Sequence, residues 1–305
     1  MAGRATRDTR LSRIRPLATE IRTLLDEGAA RLRRVGDDPR HEAEILLGAA
    51  LGRPRAYLLA HPEQQVLDCE ATDRYEAFVT RRAHGEPVAY ILGEKEFWSL
   101  PIAVHPGVLV PRPETELAVE RALAHFATDA AFDALDLAAG SGAIAVALAS
   151  ERPRARITAT DISPAAVATT RANAARLGLA GRVEVTQGSW FAPVAGRCFH
   201  LIVSNPPYIA LDDPRVDPAV RRFEPPGALF AGPSGLEALR EIVTIAPWHL
   251  LPDGWLVLEH GDTQGAAVRA LFGQAGFGAV HTCRDLAGRE RCTEGRLSGI
   301  ARPSR

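Results

Sequence analysis

Lysine is almost absent from this chain. Lys95 is the only one among 305 residues, and arginine supplies every other basic side chain. The 36 basic residues nearly cancel the 37 acidic ones, leaving a formal charge of −1. A surface built to follow a polyanion carries a basic excess, and the chain as a whole has none. Cysteine is sparse as well. Cys69, Cys198, Cys283 and Cys292 are scattered, and no pair has the Cys-x-x-Cys spacing of a metal site. They read as small buried hydrophobes in a reducing compartment, and no metal is expected. No apolar run approaches the ~20 residues of a membrane span. The N-terminus lacks the apolar core of a secretory signal. The expectation is a cytoplasmic protein without a membrane partner.

With 46% hydrophobic and 24% charged residues, the chain has ordinary globular composition. At ~150 residues per domain, its length suggests two domains. Residues 1–16 form a basic extension, with Arg4, Arg7, Arg10, Arg13 and Arg15 against Asp8. Such composition fits an organellar transit peptide. In a chain this rich in arginine it reads first as an extension of a bacterial protein. Residues 17–84 read as a small helical domain. Ile21, Leu24, Leu25 and Leu32 recur near helical spacing. Asp38, Pro39 and Glu42 mark a second helix start ahead of Ala43, Leu46 and Leu47. A third helix is expected over Ala71–Ala83. Residues 85–112 read as a β-hairpin linker, with strands at Phe97–Val104 and Val108–Val110 around a His105-Pro106-Gly107 turn. Residues 113–305 alternate strands and helices. Strands are expected at Ala134–Leu137, Arg156–Thr160, Val183–Thr186, Leu201–Ser204, Trp255–Glu259, Val280–Arg284 and Gly295–Ala301, the last two antiparallel. The expected fold is α/β, a mostly parallel seven-stranded sheet covered on both faces.

The strongest local signal is the run from Leu135 to Ala145. Asp136 ends an apolar strand, Ala138-Ala139-Gly140-Ser141-Gly142 follows, and a helix begins. Glycines there let a ligand approach the backbone, and amides at the helix start face it. Asp161 stands 21 residues after Gly140 at the end of the next strand, placed to accept from ribose hydroxyls. Loop and acid together indicate a nucleoside-containing cofactor, and Gly140-x-Gly142-x-x-Ala145 alone also fits a nicotinamide dinucleotide. Asp136 discriminates. A carboxylate is badly placed beside a pyrophosphate and suits S-adenosylmethionine, which carries an ammonium and a sulfonium and no phosphate. Because alanine disfavours positive φ, the bend of the loop is expected at Gly140 and Gly142.

A second signal is Leu201-Ile202-Val203-Ser204 running into Asn205-Pro206-Pro207-Tyr208. The strand ends where open α/β sheets bind ligands. The residue types suit a conjugated NH2 group, in an amide or in adenine, whose delocalised lone pair is a poor nucleophile. Asn205 accepts one N–H through its side-chain oxygen, and the Pro206 carbonyl accepts the other. Both bonds turn the lone pair toward a methyl donor. Pro206 and Pro207 stiffen the carbonyl, and Tyr208 offers a flat face to the planar group.

With these residues in place, the chain resembles class I methyltransferases that act on amino groups. Within them it resembles the peptide chain release factor glutamine N5-methyltransferase family. The likeness is carried by Gly85-Glu86-Pro87, Glu96-Phe97-Trp98, Pro111-Arg112-Pro113-Glu114-Thr115-Glu116, Arg222-Phe223-Glu224-Pro225, Leu258-Glu259-His260-Gly261 and Cys283-Arg284-Asp285-Leu286, in order over roughly residues 17–301. The resemblance implies a Rossmann-like catalytic domain, S-adenosyl-L-methionine as cofactor and a release factor as protein substrate, methylated on the glutamine of its Gly-Gly-Gln loop. By position it places the cofactor against Asp136, Ala138–Gly142, Asp161, Trp190 and Asn205, and the substrate against Asn205–Tyr208. It implies that the helical domain meets the substrate. The near-neutral charge argues that no nucleic acid is a direct substrate, and a monomer is expected. Ser189 stands where many relatives carry an acid beside the tryptophan. Arg112 has an ion pair with Glu114 or Glu224 open to it as well as a cofactor contact. Phe97 and Trp98 read either as hinge packing or as substrate wall, and Glu224 and Glu259 either as solvated carboxylates or as groups that shape the site. An adenine-N6 nucleic-acid methyltransferase can use the same tetrapeptide, but it needs a basic surface and a base-flipping pocket.

Overall fold

A computed structural model describes residues 19–298. The extension expected at residues 1–16 lies outside the described residues. Contacts divide the chain between Ile91 and Leu92 into two units.

The N-terminal unit is helical. Helix α1 (Ile21–Leu32) buries Ile21, Leu24, Leu25 and Leu32, the four residues read as its apolar stripe. Helix α2 (Pro39–Leu51) begins where expected. The Asp38 carboxylate accepts from the His41 amide at 3.0 Å, Pro39 occupies the first turn, and Gly52 closes the helix at φ 62°. Glu42 binds Arg82 of α4 (Cys69–Ala83) at 2.9 and 3.0 Å, clipping two helices together. The short helix α3 (Arg55–Ala60) was not foreseen. Gly28 is required by close approach, because a Cβ there would lie 2.0 Å from the Tyr75 hydroxyl.

The larger unit is built on seven strands: β1 (Asp133–Leu137), β2 (Arg156–Asp161), β3 (Val183–Gln187), β4 (Phe199–Ser204), β5 (Leu250–Glu259), β6 (Phe277–Arg284) and β7 (Glu290–Leu297). Their spatial order is β6-β7-β5-β4-β1-β2-β3, with β7 antiparallel to its neighbours and the remaining pairs parallel. Helices α5 (Glu116–Ala124), α6 (Ala143–Glu151), α7 (Pro164–Arg176), α8 (Glu237–Ile245) and α9 (Gly265–Gln274) belong to this unit. Helix α6 is apolar all round and buries every residue from Ala143 to Ala149. Leu201, Ile202 and Val203 of β4 are buried, the continuous apolar run of a strand covered on both faces.

Two expectations need correction. The last strand lies at Glu290–Leu297, several residues earlier than the expected Gly295–Ala301. Its charged residues concealed it. Glu294 sits nearly buried in the sheet because Arg121 and His125 of the α5 segment bind its two oxygens at 2.8 and 3.1 Å. The hairpin expected as a linker belongs to the larger unit, pairs Glu94–Phe97 with Leu100–Ala103 and turns at Trp98-Ser99, both at positive φ. His105-Pro106-Gly107 is not its turn, and Val108–Val110 is not a strand. The Trp98 turn is held by its own partners. Its amide donates to Glu116 and its indole N–H to Glu151, each at 2.8 Å. Of the four cysteines, only Cys292 is fully buried, and Cys69 is exposed.

The chain runs outward from β1 through β2 to β3, then returns to place β4 on the other side of β1. The crevice at the carboxyl ends of β1 and β4 is therefore a topological switch point, where open α/β sheets hold ligands. The Ser204 hydroxyl donates to the Leu137 carbonyl at 2.7 Å. That bond ties the last residues of the two strands and sets the glycine loop beside the Asn-Pro-Pro-Tyr segment.

Candidate active site

The loop after β1 turns three times into the left-handed region, at Ala138 (φ 57°), Gly140 (φ 58°) and Gly142 (φ 81°). The expectation that only the glycines bend was wrong. Ala138 is left-handed too, at a cost of about 1–2 kcal/mol. Neighbouring bonds hold it there. The Ala139 amide reaches the Thr160 carbonyl of β2 at 3.1 Å, and Ser204 holds the Leu137 carbonyl just before it. Beyond the bend, Thr170 and Asn173 of α7 donate to the carbonyls of Gly140 and Ser141 at 3.1 and 2.8 Å. Around a Cβ built on Gly140 there is only open space, whereas one on Gly142 would lie 2.6 Å from Thr170. Gly140 thus keeps the loop open to a ligand, and Gly142 packs the helix start.

Asp161 ends β2. Its two oxygens accept from the Gly140 amide at 2.9 Å and the Ser163 amide at 2.8 Å, joining the loop to the start of α7. Burial raises its pKa. Each oxygen keeps a lone pair for a further donor. Trp190 is also left-handed (φ 43°), and its carbonyl accepts from the Thr160 hydroxyl at 3.2 Å.

These elements enclose a cavity of about 260 Å³. Ala138, Ala139, Gly140, Ser141, Asp161, Trp190 and Asn205 line it, as expected. Asp136 and Gly142 do not. Asp136 points beneath the loop, fully buried, and its Oδ2 accepts from the Ala145 amide in the first turn of α6 at 3.0 Å. Its Oδ1 has no partner among the described residues, and burial pushes its pKa up to about 8. It answers a helix-start N–H that a phosphate would otherwise be offered. The cavity lining includes Asp161 and no lysine, arginine or histidine. A pyrophosphate would meet a carboxylate with no cation to offset it. The lining is compatible with a nucleoside that bears positive charge and no phosphate, since it offers the Asp161 carboxylate beside apolar groups such as Ile162 and Trp190.

A second cavity, of about 570 Å³, lies on the other side of the loop after β4. Asn205 lines both cavities, Pro206 and Tyr208 line the second, and Pro207 lines the first. Pro207, expected at the substrate together with its neighbours, is found in the lining of the smaller cavity. The Asn205 Nδ2 donates to the Thr115 hydroxyl at 3.0 Å. The Tyr208 hydroxyl donates to Glu259 Oε1 at 3.0 Å, and the Tyr208 carbonyl accepts from Gln264 at 2.9 Å. Glu259 ends β5 with 1% of its surface exposed, and burial pushes its pKa up to about 7. Desolvation raises the Tyr208 pKa as well.

Arg112 binds Glu224 at 2.5 Å, which settles its partner, and the other Glu224 oxygen accepts from the Val110 amide at 3.2 Å. Together they fix residues 108–112 as cavity wall. Phe97 and Trp98 line neither cavity, and Phe97 is core packing. The wall residues Leu109 and Ala228, shared by both cavities, were not foreseen, nor was Thr115 as a partner of Asn205. Leu109 was read as strand. The one signal for Thr115 was its place in the Pro111–Glu116 stretch.

Comparison with known proteins agrees with this geometry. Residues 23–93 match the family model described as PrmC N-terminal domain, and residues 102–223 match that of the methyltransferase small domain. A release factor glutamine methyltransferase of Pseudomonas aeruginosa is 51% identical over 279 residues, covering 91% of this chain and 98% of that protein. One from Xylella fastidiosa is 47% identical over 277 residues, covering 91% and 98%. Among solved structures, a methyltransferase from Pyrococcus furiosus shares the fold with a TM-score of 0.50 at 21% identity, covering 66% of this chain and 90% of that one.

Proposed function

The chain belongs to the release factor glutamine methyltransferase family, and on that premise we propose how its residues act. The enzyme transfers a methyl group from S-adenosyl-L-methionine to the side-chain amide nitrogen (N5) of the glutamine in the Gly-Gly-Gln motif of a peptide chain release factor. The observation that carries this reading is the position of Asn205, the motif residue that lines both cavities. The cofactor occupies the smaller cavity and the glutamine side chain enters the larger one, so the two meet at Asn205.

When bound, S-adenosyl-L-methionine supplies an electrophilic methyl group carried on positively charged sulfur. The chain's own residues prepare the nucleophile. With its Nδ2 turned to Thr115, Asn205 presents Oδ1 to one N–H of the target amide. The Pro206 carbonyl accepts the other N–H. Two acceptors in fixed positions hold the amide plane so that its lone pair lies in line with the methyl group. Tyr208, pinned at its hydroxyl by Glu259 and at its carbonyl by Gln264, forms a rigid wall for that plane. The methyl group would pass from sulfur to this nitrogen, leaving a neutral thioether on the spent cofactor, and the open side of the larger cavity would let the nitrogen release one proton to solvent. Asp161 holds the ribose, and Ala138–Ser141 and Trp190 enclose the rest of the cofactor.

No helix among the described residues is long and apolar enough to cross a membrane. We read the enzyme as a cytoplasmic monomer whose partner is the release factor and which does not methylate nucleic acid. The test incubates the enzyme with S-adenosyl-L-methionine and a release factor, followed by mass spectrometry of the Gly-Gly-Gln peptide. One added methyl on the glutamine is expected. Methyl transfer to DNA or RNA with none to the release factor would overturn the reading.

A further inference from the structure

Gly107, Val108, Leu109 and Pro111 line the smaller cavity, and the segment that carries them is gripped at both ends. Before it, the buried Asn173 of α7 accepts from the Ala103 amide at 2.9 Å and donates to the Ala103 carbonyl at 3.1 Å. At its far end, Glu224 holds Val110 and Arg112. Between these grips the His105 side chain does the holding. Its Nε2 lies 2.8 Å from the Thr169 hydroxyl of α7, and its Nδ1 accepts from the Gly107 amide at 3.0 Å. Backbone groups at either end set the polarity of these bonds, since an N–H only donates and a carbonyl only accepts. The Thr169 proton goes to the Ala165 carbonyl at 2.8 Å, so the Thr169 oxygen accepts from the ring. A neutral imidazole offers one N–H and one bare nitrogen, and here each faces the partner it needs. The bonds therefore run in one direction, from Gly107 through His105 and Thr169 to Ala165. The packing is close as well: a Cβ on Gly107 would lie 2.6 Å from the His105 ring and 3.1 Å from Ala165.

We propose that His105 is a positioning residue for the cofactor, fixing the wall at Gly107–Leu109 to α7 through Thr169. The inference rests on the reading of the smaller cavity as the cofactor site. Thr169 and Asn173 lie one turn apart on α7. Beside them, Thr170 donates to the Gly140 carbonyl, and Asn173 also reaches that of Ser141. One helix thus holds both the wall and the glycine loop, and the distance between them is set before any ligand arrives. A cavity already in its binding shape spends no affinity on ordering its own wall. Cut loose from α7, the Gly107 turn would have to be ordered by the ligand, and binding would weaken. Asn205 and Tyr208 take their partners elsewhere, at Thr115, Glu259 and Gln264. Turnover with saturating cofactor therefore stays as it is.

The test is calorimetric titration of the full-length protein with S-adenosyl-L-methionine, beside steady-state kinetics on an intact release factor. His105 is exposed, so its replacement leaves the core intact. His105→Ala is expected to raise the cofactor Kd about three- to tenfold, with kcat at saturating cofactor and KM for the release factor within about twofold of the parent. Thr169→Val keeps the shape, removes the hydroxyl and should weaken binding to a similar or smaller extent. The double variant should bind no more weakly than His105→Ala alone, because both changes cut the same tether. His105→Asn can still accept from the amide two residues on, so it keeps the turn without the tether and should match Thr169→Val. An unchanged Kd in His105→Ala would overturn the inference. So would effects that multiply in the double variant, or a lowered kcat with Kd unmoved. If the parent binds S-adenosyl-L-methionine but leaves the release factor unmethylated, the reaction assigned above fails and the role of His105 is still decided by Kd. If the parent methylates and His105→Ala binds as tightly as the parent, only the role of His105 fails.

Discussion

Replacing Asp136 by asparagine separates the cost of a buried carboxyl from everything else in the site. The carboxyl has an ordinary value of 3.8 and is pushed up to about 8 by complete burial. In the unfolded chain it is ionised above pH ~4. In the folded chain it keeps its proton until pH ~8. Its contribution to stability is therefore fully present below pH ~4 and is lost as the pH rises toward 8. The slope is about 1.4 kcal/mol per pH unit, and the accumulated loss at pH 7 is about 4 kcal/mol. Asparagine has no proton to exchange. Its carbonyl can keep the bond to the Ala145 amide, while its NH2 replaces an oxygen that has no partner. That unsatisfied donor costs about 1–3 kcal/mol at every pH. The stability of Asp136→Asn relative to the parent should thus climb by about 1.4 kcal/mol per unit between pH 5.5 and 7.5. Urea unfolding of the ligand-free protein measures it. Trp98, Trp190, Trp248 and Trp255 all belong to the larger unit, so fluorescence follows that unit alone. Glu259 also has a raised pKa, but it contributes to both proteins and cancels in the difference, whereas the Asp161 carboxylate adds to the Asp136 shift and its repulsion is removed with it. A difference that stays flat across the window would show that the folded protein ionises Asp136 normally.

Three further outcomes follow from the geometry. Asn205→Ala should lower kcat about a hundred- to a thousandfold, the usual effect of removing one preorganised group, while weakening cofactor binding less than about tenfold in calorimetry; undiminished turnover would refute its role. Asp161→Ala removes the proposed ribose acceptors and strands the Gly140 and Ser163 amides, so the cofactor Kd should rise by at least about tenfold. An unchanged Kd would place the ribose elsewhere. Gly142→Ala forces a methyl against Thr170 at positive φ and should cost about 2–4 kcal/mol in urea unfolding, whereas Gly140→Ala, facing open space, should cost only the backbone part, about 1–2 kcal/mol.

Much of the fold could be read from hydrophobic pattern and chain punctuation. The central strands are short apolar runs, and helices with Ser, Asp or Pro at their starts began within a residue or two of expectation, as α2 and α7 show. Misreadings arose where tertiary partners override local preference. Glu294 lies in a strand because Arg121 and His125 reach it from α5. Trp98 turns a hairpin because Glu116 and Glu151 hold its two N–H groups. Ala138 adopts a glycine-like conformation because the adjoining strands fasten the chain on either side. In the site, most residues that line the two cavities through backbone or motif were legible. Asp136 was misplaced because sequence locates a residue at the end of a strand without saying which face it takes. The wall formed by Leu109 and Ala228 and the Thr115 contact arise from segments brought together only by folding.

The absence of cations around the smaller cavity also decides which molecules stay out. Any cell contains many adenosine derivatives, and their base and ribose present the same features to Asp161 and Trp190. Most carry phosphates. At ~7 Å from Asp161 each phosphate charge would be repelled by about 2 kcal/mol at an effective dielectric of ~20, with no lysine, arginine or histidine in the lining to screen it. Two such charges lower affinity by roughly three powers of ten. With the cofactor placed as proposed, the enzyme would exclude a whole chemical class of competitors without a gate, a steric block or any residue devoted to rejecting a particular one.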